Sequence, residues 1–442
     1  MTLSQKSRSV SRKPHIVFLY YYFPPMGGGG VQRIVKWLKY LDYSRLDVSV
    51  ITVKESHYYA ADPSLLQEIP DAVRIARTDS FDPFRLAAWL KKGDTSLKNN
   101  ELPRESSDWL RRLSAAVFIP DSRVGWFPFA LMALWHLHRE HPIDGVVASM
   151  PPYTAGLVGA AFHAWQRVPL ILDYRDAWCG NAYFPKRPGM VEKIHQWLEK
   201  TVLKHAAGVV FVNPALQRHV KARYPLNTPG AQTVIRNGFD PDDFRDLPVP
   251  PSAPPVRVGI LGSVYSRGNR PLLLLNAIST LVRDEPELKD RLRVCFIGKW
   301  SPGFLEFARK FPFPEMIEWH PYLPHRQALQ EAAKCHALSL TIEDIPGSHA
   351  ITPGRIYEYL ALRRPVLAIC PPGSDLASLV ESTGAGTVIA PNDLEGLKQA
   401  IRALLRNPDA FTPPENSGYL TTFSRQEQTQ QLYQFLQHVL DF

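Results

Sequence analysis

Cysteine is scarce in this sequence. Its 442 residues hold 4 of them, Cys179, Cys295, Cys335 and Cys370, and no two form a C-x-x-C pair. That scatter argues against a zinc site or a disulfide framework and fits a reducing cytoplasm. Long apolar runs are missing as well: no stretch approaches the roughly 20 residues of a membrane-spanning helix. The opening residues are polar, with Lys6, Arg8, Arg12 and Lys13 among serines, and lack the apolar segment of a signal peptide. No H-E-x-x-H or comparable metal-ligand spacing, no G-x-S-x-G elbow and no G-x-G-x-x-G fingerprint occurs. Blocks of like charge are absent too. The formal charge of +9 is dispersed, which speaks against a nucleic-acid-binding tail and for phosphates or an acidic membrane surface as partners.

What is present is alternation. Strands are expected at His15–Tyr20, Val48–Val53, Gly145–Ala148, Pro169–Leu172 and Gly208–Val212, then at Val256–Leu261, Arg293–Ile297, Ala337–Thr341, Pro365–Ala368 and Gly386–Ile389. Amphipathic segments separate them, and short continuous apolar strands between helices mean parallel sheets covered on both faces. With 442 residues and 45% hydrophobic content the chain can fill two cores, so an α/β fold of two facing domains is expected. The boundary falls at 241–255, where Pro241, Pro248, Pro250, Pro251, Pro254 and Pro255 crowd together and no sheet or helix interior tolerates them. The expected organisation is a disordered basic tail over 1–14, a domain over 15–240 with a long weakly patterned insertion at 54–125, a second domain over 256–423, and a helix over 424–442. Ser424 is placed to cap that helix, with Glu427 completing a capping box. Segment 108–119 is amphipathic and basic, suited either to an anionic membrane surface or to packing on the domain's own core.

Each half opens on a strand, a glycine turn and a helix. The first opening carries Gly27, Gly28, Gly29 and Gly30 after the apolar run Ile16 to Leu19. Such a turn lets a ligand approach the backbone, and the following helix tip aims free N–H groups and a positive dipole end at it. The second, Gly259 to Arg270, includes Gly262 and puts Arg267 and Arg270 before a helix. Guanidinium groups there suit a diphosphate; the alternative is solvated loop residues. Pro353, Gly354 and Arg355 start another helix with exposed N–H groups, and Glu358 one turn inside can accept from the two hydroxyls of a ribose or be a partnered surface acid. In the first half, Asp173-Tyr174-Arg175-Asp176 closes a strand at an expected cleft rim. Asp173 and Asp176 are a general base and a partner for Arg175, or else an internal ion-pair cluster. Ser149 ends another strand and makes a further rim. Asp121 can bind hydroxyls and Trp126 can offer a stacking face to a sugar, with plain packing as the alternative.

In their order and spacing these motifs resemble the family 4 retaining glycosyltransferases, nucleotide-sugar-dependent enzymes of the GT-B architecture, in which two Rossmann-like domains face each other. The resemblance runs through Tyr22-Phe23-Pro24-Pro25 and the glycines, Ile119-Pro120-Asp121 with Gly125-Trp126, Ser149 to Pro152, Asp173 to Trp178, Asn237-Gly238-Phe239-Asp240, Gly262 to Arg270 and Arg355 to Ala361. It implies that Gly28, Gly29, Gly30, Gly262, Gly354 and Arg355 line the donor site, that Arg267 and Arg270 grip the pyrophosphate, and that Glu358 holds the ribose. Asp176 joins the two arginines in the catalytic set, and Asp121, Trp126, Ser149, Asp173 and Arg175 fall on the acceptor or sugar side. The last helix is expected to cross back onto the first domain. The chain departs from the family at Ala350, where many members carry the earlier of two glutamates, at its Arg–Arg pair, where Arg plus Lys is common, and at Ser149-Met150, where some carry a donor-contacting histidine.

The implied activity is transfer of a hexose-type sugar from a nucleotide-diphosphate donor to a glycan or lipid-linked acceptor. It would proceed with retention, without cofactor or metal, in cell-surface polysaccharide or glycoconjugate synthesis. The implied location is cytoplasmic, with peripheral contact on an anionic membrane and no nucleic-acid partner. Rival readings are a nucleotide-sugar epimerase of the same architecture, a nicotinamide oxidoreductase and a non-catalytic sugar- or membrane-binding homologue.

Overall fold

A computed structural model describes residues 12–54, 61–81, 118–183, 187, 189–265, 268–408 and 418–442. Parallel strands covered on both faces need apolar residues at every position, and β1 (His15–Leu19) is buried throughout. Its Ile16 and Phe18 enter one core layer, and Val17 and Leu19 the other. With β2 (Asp47–Val53), β3 (Arg74–Thr78), β4 (Gly145–Met150), β5 (Leu170–Tyr174), β6 (Gly208–Phe211) and β7 (Ala231–Val234) it forms a seven-stranded parallel sheet of order β3-β2-β1-β4-β5-β6-β7. The second sheet is six-stranded and parallel, built from β8 (Val256–Leu261), β9 (Leu292–Ile297), β10 (Ile317–His320), β11 (Ala337–Thr341), β12 (Val366–Ile369) and β13 (Gly386–Ile389) in the order β10-β9-β8-β11-β12-β13. Helices cover both faces of each sheet. These are two Rossmann-like domains. Strand order reverses between β1 and β4 and again between β8 and β11, and the carboxyl ends beside such a switch are where open α/β sheets form a crevice.

The expected tail and insertion need correction where they are described. Arg12 pairs with Asp144 at 2.8 Å and Lys13 Nζ donates to the Tyr43 carbonyl at 2.9 Å, so residues 12–14 are pinned to the first domain. Within the expected insertion, Pro63–Glu68 is a 3-10 helix and β3 completes the sheet edge. Residues 1–11 and 82–117, which include most of the amphipathic segment 108–119, lie outside the described residues. The proline-rich boundary begins with a 3-10 turn, Pro241–Phe244, where Asp240 accepts from the Asp242 N–H at 3.0 Å. Pro241 sits at its first position, where a missing N–H does no harm. Lys36, Lys39 and Tyr40 all reach Asp240, within 2.8 Å, and fasten this turn to the first domain.

The last helix, Arg425–Leu440, starts where the Ser424 hydroxyl accepts from the Glu427 N–H at 3.2 Å. The reciprocal half of the capping box is not made among the described residues; Glu427 accepts from Gln431 instead. Leu432, Phe435 and Leu436 pack with Ile16, Phe18 and Trp37 against the first sheet. Burying such side chains is worth on the order of 1.5–3 kcal/mol each, which ties the end of the chain to the domain that begins it.

Candidate active site

The two glycine openings meet. Between the domains lies a cleft of about 470 Å³. From the first domain Gly28, Gly29, Gly30, Arg175 and Asp176 line it; from the second come Gly262, Lys299, Gly354, Arg355 and Glu358. Gly28 turns β1 into the helix Gly29–Tyr40 with φ at +108°, a conformation that side chains other than glycine's rarely adopt. Arg175, just past β5, donates from Nη1 to the Gly30 carbonyl at 3.0 Å and from Nη2 to the Pro151 carbonyl. Across the gap, Gly354 and Arg355 begin the helix Arg355–Leu362, and Arg355 Nη1 donates to the Leu261 carbonyl. Two helix tips therefore address one cavity from opposite sides. Among the described lining residues five are Arg or Lys and three are Asp or Glu, a balance that suits an anion.

Glu358 is held rather than loose. Its Oε1 lies 2.8 Å from His325 Nε2. Burial pulls the His325 pKa down, but the bond to Glu358 and the charges of Glu358 and Asp243 outweigh it and raise the pKa above the ordinary value. Lys299, on the turn after β9, stands 5.3 Å from the Tyr322 ring centroid, and desolvation lowers its pKa. Arg425, from the first turn of the last helix, also lines the cleft while only 5% exposed. Burial and the neighbouring Arg33 guanidinium lower its pKa to about 10. Asp176 is exposed to the cleft, yet the protein mass around the cleft rim disfavours its charge and pushes its carboxyl up to about 6 against the opposing pull of Arg175.

Several expected site residues lie elsewhere. Asp173 is fully buried and accepts from Tyr20 Oη at 2.7 Å, Ser149 Oγ at 2.8 Å and Arg33 Nε at 3.1 Å. That satisfied pocket leaves neither Asp173 nor Ser149 open to a ligand. Asp121 caps the helix Thr154–Gln166, accepting from the Thr154 N–H at 3.1 Å and its hydroxyl at 2.9 Å. Trp126 is core: it is fully buried, edge-on to Tyr21, with Nε1 donating to Thr78 at 2.8 Å. Arg270 is outside the cleft lining and grips Glu343, with Nε at 2.7 Å and Nη2 at 3.1 Å from its carboxylate oxygens. Arg267 lies outside the described residues.

Comparison with known proteins fits this geometry. The family model for Glycosyltransferase Family 4 matches residues 27–243, and that for Glycosyl transferases group 1 matches residues 255–407. The chain belongs to the family 4 glycosyltransferases. Its GT-B fold is shared with sucrose-phosphate synthase from Thermosynechococcus elongatus, at a TM-score of 0.65 and 14% identity over 97% of this chain and 100% of that one. Anabaena HepE in complex with UDP and glucose aligns at 0.62 and 17% over 95% and 98%. Trehalose 6-phosphate synthase from Burkholderia multivorans aligns at 0.63 and 14% over 98% of each chain. No curated protein matches in sequence.

Lys299, His325 and Arg425 were not singled out from the sequence of this glycosyltransferase. Each comes from a different element and carries no motif; the signal available was position, just past a strand end or at a helix start. Asn213 is similar: it caps the helix Pro214–Arg223 and donates to the Ala350 carbonyl at 2.8 Å, bridging the two domains. Among the described residues no three His, Cys, Asp or Glu side chains are grouped to hold a metal ion.

Proposed function

We propose that this glycosyltransferase takes a nucleotide-diphosphate sugar as donor and passes a hexose-type sugar, with retention, to a glycan or lipid-linked acceptor in cell-surface polysaccharide or glycoconjugate synthesis. The observation that carries the reading is the convergence of Gly28 to Gly30, the Gly354–Arg355 helix tip, Lys299 and Glu358 on one cleft. When a glycosidic bond to a diphosphate breaks, negative charge grows on the leaving phosphate. Cations and N–H groups already in place stabilise that charge more than the ground state. We assign this role to Arg355 and Lys299, together with Arg267. They take the part a divalent metal plays elsewhere, so the reading calls for no cofactor. Arg270 acts through Glu343 to hold the loop. Glu358 has one oxygen engaged by His325 and one left for a ribose hydroxyl. The leaving phosphate can receive the acceptor's proton, which leaves Asp176 and Arg175 to orient the acceptor. Peripheral membrane contact on the cytoplasmic side belongs to the same reading; among the described residues no helix is long and apolar enough to cross a membrane.

The test is a thermal-shift screen of the purified chain against UDP, GDP, ADP and their sugars, followed by product analysis with the binding donor. A ligand at 100 times its Kd should stabilise the fold by about 2.7 kcal/mol. If none of these ligands raises the melting temperature, the donor reading fails. Conversion of donor to an epimer without acceptor would favour the epimerase instead.

A further inference from the structure

We propose that the outer face of the helix Gly189–His205 is a docking surface for an anionic phospholipid bilayer. This helix turns His195, Glu199, Val202 and Leu203 inward. Its outward stripe reads Met190, Lys193, Ile194, Trp197, Lys200 and Lys204, all exposed, with no acid among them. Met190 is 71% and Trp197 63% exposed, and with Ile194 between them they form one apolar row along the helix rather than scattered single residues. The acids of the same helix are engaged elsewhere. Glu192 faces Arg187 at 3.5 Å, and Glu199 lies buried under the Tyr174 and Tyr224 hydroxyls. Large apolar side chains interleaved with charges of one sign are the pattern of a helix lying in a membrane interface, where the apolar groups enter the headgroup boundary and the lysines meet lipid phosphates.

The neighbouring helix extends the surface. The His163 and His205 rings approach to 5.9 Å, which joins the carboxyl ends of the helices Thr154–Gln166 and Gly189–His205. Trp165 there is 55% exposed and stacks on Trp135 with centroids 6.2 Å apart, and Arg167 beside it is exposed as well. Tryptophan is favoured at the water–lipid boundary. The docking helix spans about 25 Å at 1.5 Å per residue and begins 6 residues beyond Tyr183, which lines the cleft. The amino end of the docking helix is thus the end that follows the cleft-lining segment in the chain. The surface is separate from the cleft. It deepens the reading of a lipid-linked acceptor, and its test uses neither donor nor acceptor, so the two can fail independently.

The experiment is sedimentation of the full chain with phosphatidylcholine vesicles, with and without phosphatidylglycerol, at low and high salt. We expect binding to the anionic vesicles alone, weakened by salt. Each lysine is worth about fivefold in affinity. The combined variant Lys193→Glu, Lys200→Glu, Lys204→Glu should therefore lose binding by about a hundredfold or more. Ile194→Ser with Trp197→Ser should lose about tenfold by removing the apolar insertion. Because these side chains face outward, both variants should keep the parent's circular dichroism and melting temperature. Absence of vesicle binding by the parent would overturn the proposal, as would equal binding by parent and both variants. So would self-association of the parent that Trp197→Ser abolishes, since the face would then serve a second protein copy.

Discussion

Arg175 Nη1 donates to the Gly30 carbonyl at 3.0 Å, so a cation at the end of β5 props the glycine turn at the end of β1. A Cβ placed on Gly30 would stand 2.6 Å from that same nitrogen. Gly30→Ala should therefore push the guanidinium aside. The helix gains slightly from alanine in its first turn, while the crowding costs about 1–3 kcal/mol. We expect a loss of about tenfold in kcat/KM, equivalent to 1.4 kcal/mol, with a smaller change in stability. Steady-state kinetics beside urea unfolding would check this. Unchanged kinetics would remove Arg175 from the site.

Asp173 and Asp176 look alike in sequence and should behave oppositely. Asp173 and Arg33 form an ion pair with both side chains at 0% exposure. Asp173→Ala leaves a buried guanidinium without its carboxylate, which should cost about 3–5 kcal/mol of stability. Asp176 has a raised pKa, so the folded state holds its proton more tightly than the unfolded chain does. Its ionisation costs stability as pH rises from its ordinary value of 3.8 to about 6. Asp176→Asn should remove that loss and be at least as stable as the parent at pH 7. If the ionised carboxylate orients the acceptor, the parent's rate falls below about pH 6 and the variant lacks that limb. Denaturation of both variants and a pH–rate profile separate the two roles; an Asp173→Ala protein as stable as the parent would contradict the buried-pair account.

The strands that sequence pattern reveals are those with apolar residues at every position, such as Ile16 to Leu19 in β1. The three it misses, β3, β7 and β10, all lie at sheet edges. There Arg74, Gln232 and Glu318 replace core residues, because one flank of the strand has no neighbour and can stay wet. The same division applies to the site. Gly28, Gly354, Arg355 and Glu358 are readable because turn and helix-start chemistry is local. Asp121, Trp126 and Ser149 mislead because a helix cap, a core indole and a carboxylate's partner use the same residue types as a ligand contact. Lys299 and Arg425 become visible only when the two domains are brought face to face.

The His325–Glu358 pair predicts its own pH dependence. A raised histidine pKa contributes stability that is fully present below the unfolded value of 6.5 and is lost as pH rises through the folded value. His325→Asn should flatten the fall in stability above pH 6.5. Glu358→Ala should return the His325 proton NMR titration toward its ordinary position and weaken nucleotide binding by about tenfold or more, in line with loss of a charge-assisted hydrogen bond of 1.5–3 kcal/mol. A histidine titration that does not move in Glu358→Ala would show that the carboxylate is not what holds the proton.

Arg355 and Lys299 line the cleft, whereas Arg270 is spent on Glu343. If charge on a leaving phosphate is what the cleft stabilises, Arg355→Ala and Lys299→Ala should each lower kcat by about 10²–10³, or roughly 2.7–4 kcal/mol, with little change in KM. Arg270→Ala should do less, and through the loop: the Glu343 N–H donates to the Gly268 carbonyl at 2.9 Å and its carboxylate accepts from the Arg270 N–H at 3.2 Å, so the variant should raise KM more than it lowers kcat. Glu343→Gln then becomes the informative partner. It keeps the shape and weakens the charge, so it should reproduce the Arg270→Ala effect on KM if Arg270 only positions the loop. A kcat loss in Arg270→Ala as large as that in Arg355→Ala, absent from Glu343→Gln, would mean that Arg270 leaves its carboxylate and reaches the phosphate when the domains close.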